Sequence, residues 1–225
     1  MQWRLFDIEG TITSLAFVKD ELYPYARRAI PAYLSEHAAD PEVRPILDRL
    51  AGELGVGDTD VAAIGATLQR WIDEDRKHPE LKELQGMVWA AGYRDGAHHG
   101  HLYADVVPYW ERARAAGLRL AIYSSGSVQA QQLLLEHSTA GDVSYLVEQH
   151  FDTRVGAKTE AASYERIAAA MAVAPTEIRF YSDVVAELDA ANAVGVDTCR
   201  LLRPGVPRVA HRHREIEDFA GEHPT

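Results

Sequence analysis

Four apolar, β-rich stretches of this chain each run into a polar residue and then into a helical pattern, and those residues come in the order Asp7, Ser124, Lys158 and Asp183. Strand and helix in repeated alternation predict an α/β fold with a doubly wound parallel sheet. In such a sheet ligands bind beyond the carboxyl ends of the strands, so the four residues are expected to converge there. The first stretch, Trp3-Arg4-Leu5-Phe6, ends on Asp7-Ile8-Glu9-Gly10-Thr11. Positions i and i+2 of a strand point the same way, which sets Asp7 beside Glu9. Two such acids can divide the work of nucleophile and proton carrier if a cation relieves their repulsion. The same five residues also match a polar strand end followed by a turn. Gly10 and Thr11 are expected to open a helix-like segment whose N–H groups suit an anionic ligand.

The later stretches supply what phosphate chemistry lacks. The run 118–123 breaks into Ser124-Ser125-Gly126-Ser127, and a helix is predicted from Val128. There the Ser124 hydroxyl and the following N–H groups, beginning with that of Ser125, face a phosphate; the alternative is a plain helix N-cap. Gly156-Ala157-Lys158 falls between 151–155 and a helical run over 160–171. An ammonium at that junction can neutralise a phosphoryl oxygen and offset the repulsion between an anionic nucleophile and its substrate. The run 178–182 ends on Asp183, a hard oxygen donor for Mg²⁺ together with Asp7 and the carboxylate or backbone carbonyl of Glu9. Glu187 and Asp189 read either as supports to that site or as ordinary early-helix acids. Gly195 is expected to end the helix, and 198–202 to form a further strand.

Between these catalytic stretches the rhythm changes. Helices are predicted over 23–35, 42–54, 61–75 and 81–91, with breaks at Asp40-Pro41, Gly55-Val56-Gly57-Asp58 and His78-Pro79. The expected organisation is a core of 1–14 and 101–225 with a helical insertion, 15–100. A length of 225 residues suits one core with such an insertion. The net charge of −11 disfavours nucleic acid and anionic lipid as partners. The single Cys199 in a predicted strand fits a buried thiol in a reducing compartment. With neither a signal-peptide pattern nor a membrane span in view, the expected location is the cytoplasm. Gln85, Trp89 and Tyr93 share a helix face and read as a pocket for an apolar tail or as core packing. Phe17 and Lys19 read as substrate contacts or as a hinge. His98-His99-Gly100-His101 and His211-Arg212-His213 lack partners at metal-ligand spacing and read as solvated loops.

The order of these motifs resembles the haloacid dehalogenase superfamily of phosphatases. More narrowly, Phe6-Asp7-Ile8-Glu9-Gly10-Thr11-Ile12-Thr13-Ser14, then Phe17-Val18-Lys19-Asp20, is similar to the signature of the enolase-phosphatases, or acireductone synthases, of methionine salvage. Leu84-Gln85-Gly86-Met87-Val88-Trp89, Gly92-Tyr93, Tyr123-Ser124-Ser125-Gly126-Ser127-Val128, Ala161-Ala162-Ser163-Tyr164 and Ser182-Asp183-Val184-Val185-Ala186-Glu187-Leu188-Asp189 extend the similarity over nearly the whole chain. Glu9 stands where most of the superfamily carries aspartate and where the enolase-phosphatases carry glutamate. Ile12 departs from the threonine expected there.

The resemblance implies a phosphatase core with a helical cap that excludes water and selects the substrate. It implies Asp7 as nucleophile, Glu9 as acid and base, and one Mg²⁺ per subunit held by Asp7, Glu9 and Asp183. Ser124, Ser125 and Lys158 hold the phosphoryl group in this picture. The implied substrate is the small-molecule phosphate ester 2,3-diketo-5-methylthiopentyl-1-phosphate, enolised and then dephosphorylated by a monomeric enzyme. Glu9 and Lys158 both stay open as the base that takes the carbon-bound proton. A general phosphatase of sugar phosphates or phosphoglycolate, and a non-catalytic phosphate-binding module, are the alternatives.

Overall fold

The structure, a computed structural model, describes residues 2–57 and 60–224. Asp58, the last residue of the predicted break at 55–58, lies outside the described residues, as do the two chain ends of the expected core. The strands are β1 (Trp3–Phe6), β2 (Arg119–Tyr123), β3 (Gln149–Phe151), β4 (Ile178–Ser182), β5 (Asp197–Leu201) and β6 (Arg214–Ile216). They form one six-stranded sheet in the order β3-β2-β1-β4-β5-β6, and every pairing is parallel. The central strand β1 sets the geometry of the site. Phe6 lies level with Ile122 of β2 and Tyr181 of β4, so Asp7, Ser124 and Asp183 leave the sheet at the same edge.

The chain forms two compact units, one running to Leu15 and resuming at His99, the other Ala16–His98. The second is helical. A short turn α1 (Leu15–Phe17) leads through a π-helical turn, Val18–Leu22, to α2 (Tyr23–His37), α3 (Arg44–Leu54), α4 (Val61–Asp73) and α5 (Pro79–Arg94). Apolar residues at helical spacing, Ala26, Ile30 and Leu34 of α2, Ile46 and Leu50 of α3, Ile64, Leu68 and Trp71 of α4, Leu84 and Val88 of α5, meet in one buried core. Gly55 ends α3 in the left-handed region, and the Asp60 side chain caps α4 on the Ala63 N–H.

In the sheet unit α6 (Val106–Ala115), α7 (Val128–Glu136), α8 (Ala161–Ala170) and α9 (Val185–Asn192) link the strands. Because strand side chains alternate, Trp3, Leu5, Tyr123, Ile178 and Phe180 pack on one face against Tyr164 and Ile167 of α8 and Leu188 and Ala191 of α9. Phe6 and Tyr181 stack on the other face, 5.1 Å apart, with Tyr109 and Trp110 of α6 and Phe219 around them.

Several local expectations are corrected. Gly10 and Thr11 form a tight turn rather than a helix start, because the N–H groups of Thr11, Ile12 and Thr13 all donate to the Ile8 carbonyl. Gly195, by contrast, ends α9 as expected: at φ +91° it takes the left-handed place of the C-terminal turn, its N–H donating to the Asn192 carbonyl and the Val196 N–H to that of Ala191. Lys158 lies well past the end of β3, in the loop before α8, rather than at a strand end. The short edge strand β6 has no apolar run to announce it. His98 is buried between the rings of Tyr25 and Tyr93, so it is no solvated loop residue.

Candidate active site

Asp7 follows the last residue of β1, and its Oδ1 accepts the Ile8 N–H at 2.7 Å. The ammonium of Lys158 lies 2.5 Å from the same oxygen and 2.7 Å from Glu187 Oε2. Both Asp7 and Lys158 are buried, so these are contacts across a low-dielectric interior. Burial alone would lower the Lys158 pKa, but the charges of Asp7 and Glu187 outweigh it and hold the ammonium above its ordinary range. Burial and the Asp7 charge leave Glu187 above the ordinary carboxylate range in spite of Lys158. Glu187 is thus a support of the site, locked by the Ser182 hydroxyl at 2.9 Å, rather than a plain early-helix acid. Asp189 takes the other alternative and pairs with His213 away from these groups.

Asp183 completes the cluster. Burial first, and then the Asp7 charge, push its carboxyl up to about 7. Two carboxyls that disfavour each other's charge, with a third shared by one ammonium, make a set of hard oxygen donors in need of a further cation. That set fits Mg²⁺ in chemistry. Among the described residues, no three His, Cys, Asp or Glu side chains converge as a metal cage. Glu9, two residues on from Asp7, is exposed.

The serine loop shows how the capping alternative divides. Ser127 is the residue that caps α7, its hydroxyl accepting the Ala130 N–H. Ser124 is buried at the end of β2, accepts the Gly126 N–H at 3.2 Å, and has no capping duty; Ser125 is exposed. The expected donors at the nucleophile turn are absent, because the Gly10, Thr11, Ile12 and Thr13 amides are spent within the loop.

The sequence gives no signal for the buried side chains that hold these loops by their carbonyls. Tyr164 donates to the Lys158 carbonyl at 2.7 Å, and Arg200 Nε to that of Asp183 at 3.2 Å. Gln131 donates to the carbonyls of Gly126 and Phe151. A polar residue on the buried side of α7 was the one legible hint. The histidine motifs serve structure: His101 Nδ1 accepts the Ser14 N–H, His211 pairs with Glu215, and His213 bonds Thr198.

In the helical unit Phe17, Gln85 and Tyr93 are buried, and Trp89 donates its indole N–H to the Leu22 carbonyl. Lys19 is exposed.

A family model described as haloacid dehalogenase-like hydrolase matches residues 4–195. A protein of Stenotrophomonas maltophilia named Enolase-phosphatase E1 is 49% identical over 221 residues, covering 96% of this chain and 95% of that protein. One of the same name from Xylella fastidiosa is 48% identical over 222 residues, with the same shares covered. Among solved structures, the UTR4 protein of Saccharomyces cerevisiae matches with a TM-score of 0.83 at 33% identity, over 97% of this chain and 98% of that one. CbbY from Rhodobacter sphaeroides, solved with phosphate, matches with a TM-score of 0.60 at 18% identity, over 98% and 96%, a likeness of fold alone.

Proposed function

Because the chain belongs to the haloacid dehalogenase-like hydrolases and, within them, to the enolase-phosphatases, we propose that Asp7, Glu9, Ser124, Ser125, Lys158 and Asp183 divide its two-step reaction among them. The reaction converts 2,3-diketo-5-methylthiopentyl-1-phosphate to the acireductone 1,2-dihydroxy-3-keto-5-methylthiopentene and phosphate. The observation that carries the assignment is Lys158 wedged between Asp7 and Glu187, with Asp183 beside them.

Enolisation needs a base for the proton on the carbon next to a carbonyl. An ammonium that donates to two carboxylates has no lone pair to offer, so the base is Glu9 and not Lys158. Its extra methylene relative to aspartate carries the carboxyl outward by about 1.5 Å, toward the substrate carbon.

In the second step the Asp7 carboxylate attacks phosphorus in line, and the bond from phosphorus to the C1 oxygen breaks. Glu9 returns its proton to the departing oxygen and then takes one from water, which hydrolyses the aspartyl-phosphate and frees Asp7. Ser124, the Ser125 N–H and Lys158 hold the phosphoryl oxygens throughout. Asp7, Asp183 and the Glu9 backbone carbonyl would hold one Mg²⁺, whose chemistry is to neutralise charge on the phosphoryl oxygens and on the enediolate. The helical unit, inserted between β1 and β2 in chain order, is read as the cap, and the chain as a monomer of the cytoplasm.

Glu9→Gln tests the division of labour. With an aryl phosphate, whose leaving group needs no proton, this variant is expected to release about one equivalent of phenolate per enzyme and then stall, because the water is left without a base. Steady turnover at the wild-type rate, read by rapid-mixing absorbance, would remove Glu9 from that role.

A further inference from the structure

The turn that carries Asp7 and Glu9 closes on itself through the Ile8 carbonyl, and its outer carbonyls are fixed from elsewhere in the sheet unit. Arg203 Nε donates to the Thr11 carbonyl at 3.0 Å across 192 positions of sequence. The Tyr103 N–H donates to the next carbonyl, that of Ile12, also at 3.0 Å. The Arg203 guanidinium is itself tightly placed. Nη1 and Nη2 grip the two oxygens of Asp105 at 3.0 and 2.8 Å, and the group lies 4.2 Å over the ring of Tyr103 and 5.2 Å from that of Phe219. Asp105 also accepts the Phe219 N–H at 2.8 Å. The Arg203 side chain is 3% exposed. A bidentate grip between ring faces fixes the guanidinium plane and with it the direction of Nε, which lysine cannot reproduce.

We propose that Arg203, oriented by Asp105, is a positioning residue for catalysis: it sets the place of the Thr11 carbonyl, and through the closed turn the aim of the Asp7 and Glu9 carboxylates. It touches no substrate. The proposal rests on the reading of Asp7 as nucleophile and Glu9 as proton carrier, both of which sit within this turn. A buried ion pair kept only for stability could be exchanged for packed apolar groups at little loss. Here the pair holds a side-chain donor directed at the turn, and displacing reacting groups by an ångström is costly in rate while leaving the binding groups on other strands in place.

The test is steady-state kinetics on the diketo phosphate ester with Arg203→Ala, Arg203→Lys, Asp105→Asn and Asp7→Asn, each with its thermal midpoint. Arg203→Ala is expected to lower kcat about 10- to 100-fold with KM within about threefold. Ethylguanidine added to Arg203→Ala is expected to recover much of kcat without moving the midpoint, and Arg203→Lys to stay impaired. Asp105→Asn, close to isosteric, should lose kcat in the same direction. The proposal is overturned if folded Arg203→Ala or Asp105→Asn keeps kcat within about twofold of wild type. It is overturned equally if activity and folded fraction fall and recover together, which marks a purely structural pair. Should Arg203→Ala fail to fold, Asp105→Asn decides by the same criteria. Asp7→Asn reads out the underlying assignment separately, since turnover in that variant removes the nucleophile whatever the Arg203 series shows.

Discussion

A Cβ on Gly10 would stand 2.5 Å from Asp183 Oδ2, and the backbone there has φ +70°, a region that costs an L-residue about 1–2 kcal/mol. The acid pair is thus packed against bare backbone. Gly10→Ala is predicted to fold but to lose about 100-fold or more in kcat/KM, because Asp183 or the turn must move off its position. Near-wild-type kinetics in a folded Gly10→Ala would show that the contact is slack. Lys158 illustrates the same economy of space. One ammonium is shared by two carboxylates, and in the proposed mechanism the proton work falls to the exposed Glu9. Asp7, Ser124 and Asp183 stand out in the sequence because strand ends followed by helices have a recognisable pattern, whereas Lys158 lies in a loop well past β3. Glu187 was ambiguous for a physical reason: an acid at a helix start satisfies the macrodipole whether or not it also holds a lysine.

At the scale of the elements, helix ends are set by local turns. The helix 160–171 ends as α8 at Ala170, and Ala172 beyond it takes φ +56° so that the Ala172 and Val173 amides close on Ala169 and Ala168. Glycine is the residue such a C-terminal turn favours. Ala172→Gly is predicted to raise stability by about 0.5–1 kcal/mol, read as a higher urea midpoint at unchanged slope. A lower midpoint would mean that alanine's restriction of the unfolded chain dominates. The sheet itself could be anticipated from β1, β2 and β4, whose apolar runs are long enough to cross a buried layer, and from the strand expected over 198–202. The strand β6, partly exposed at the sheet edge, carries Arg214 and Glu215 and has no such run. Its place is set by long-range partners: Arg214 reaches Glu222, and Arg200 of β5 reaches Glu215. Tyr164, Gln131, Arg200 and Arg203 have no signature in local spacing because each bonds a backbone carbonyl, which every residue supplies; the spans run from 5 positions for Gln131 to 192 for Arg203.

Across the whole molecule, the chain's end is tied to the far side of the sheet. Glu222, buried, takes Arg179, Arg214 and the Tyr181 hydroxyl, and Tyr181 in turn meets Tyr109 of α6. Burial alone would raise the Glu222 pKa, but its bonds from Arg214 and Tyr181, with the charges of Arg214 and Arg179, outweigh that and hold it below its ordinary range. The unfolded chain therefore binds this proton more readily. The stabilisation is complete above a pH of about 4.3 and is lost as the pH falls through the lower folded value. Glu222→Gln is expected to cost about 2–3 kcal/mol at neutral pH and progressively less in acid, measured by denaturant unfolding across the pH range. An equal cost at every pH would contradict this. The proposed mechanism, finally, has the Asp7 carboxylate serve a substrate that has first been enolised. The most direct measurement is incubation with Mg²⁺ and the diketo phosphate ester, following phosphate release and the ultraviolet absorbance of the enol intermediate and acireductone together, for wild type and Asp7→Asn. Wild type is expected to show both signals, and Asp7→Asn to release no phosphate. Phosphate release by Asp7→Asn, or an untouched ester beside rapid hydrolysis of simple sugar phosphates by wild type, would contradict the proposed mechanism.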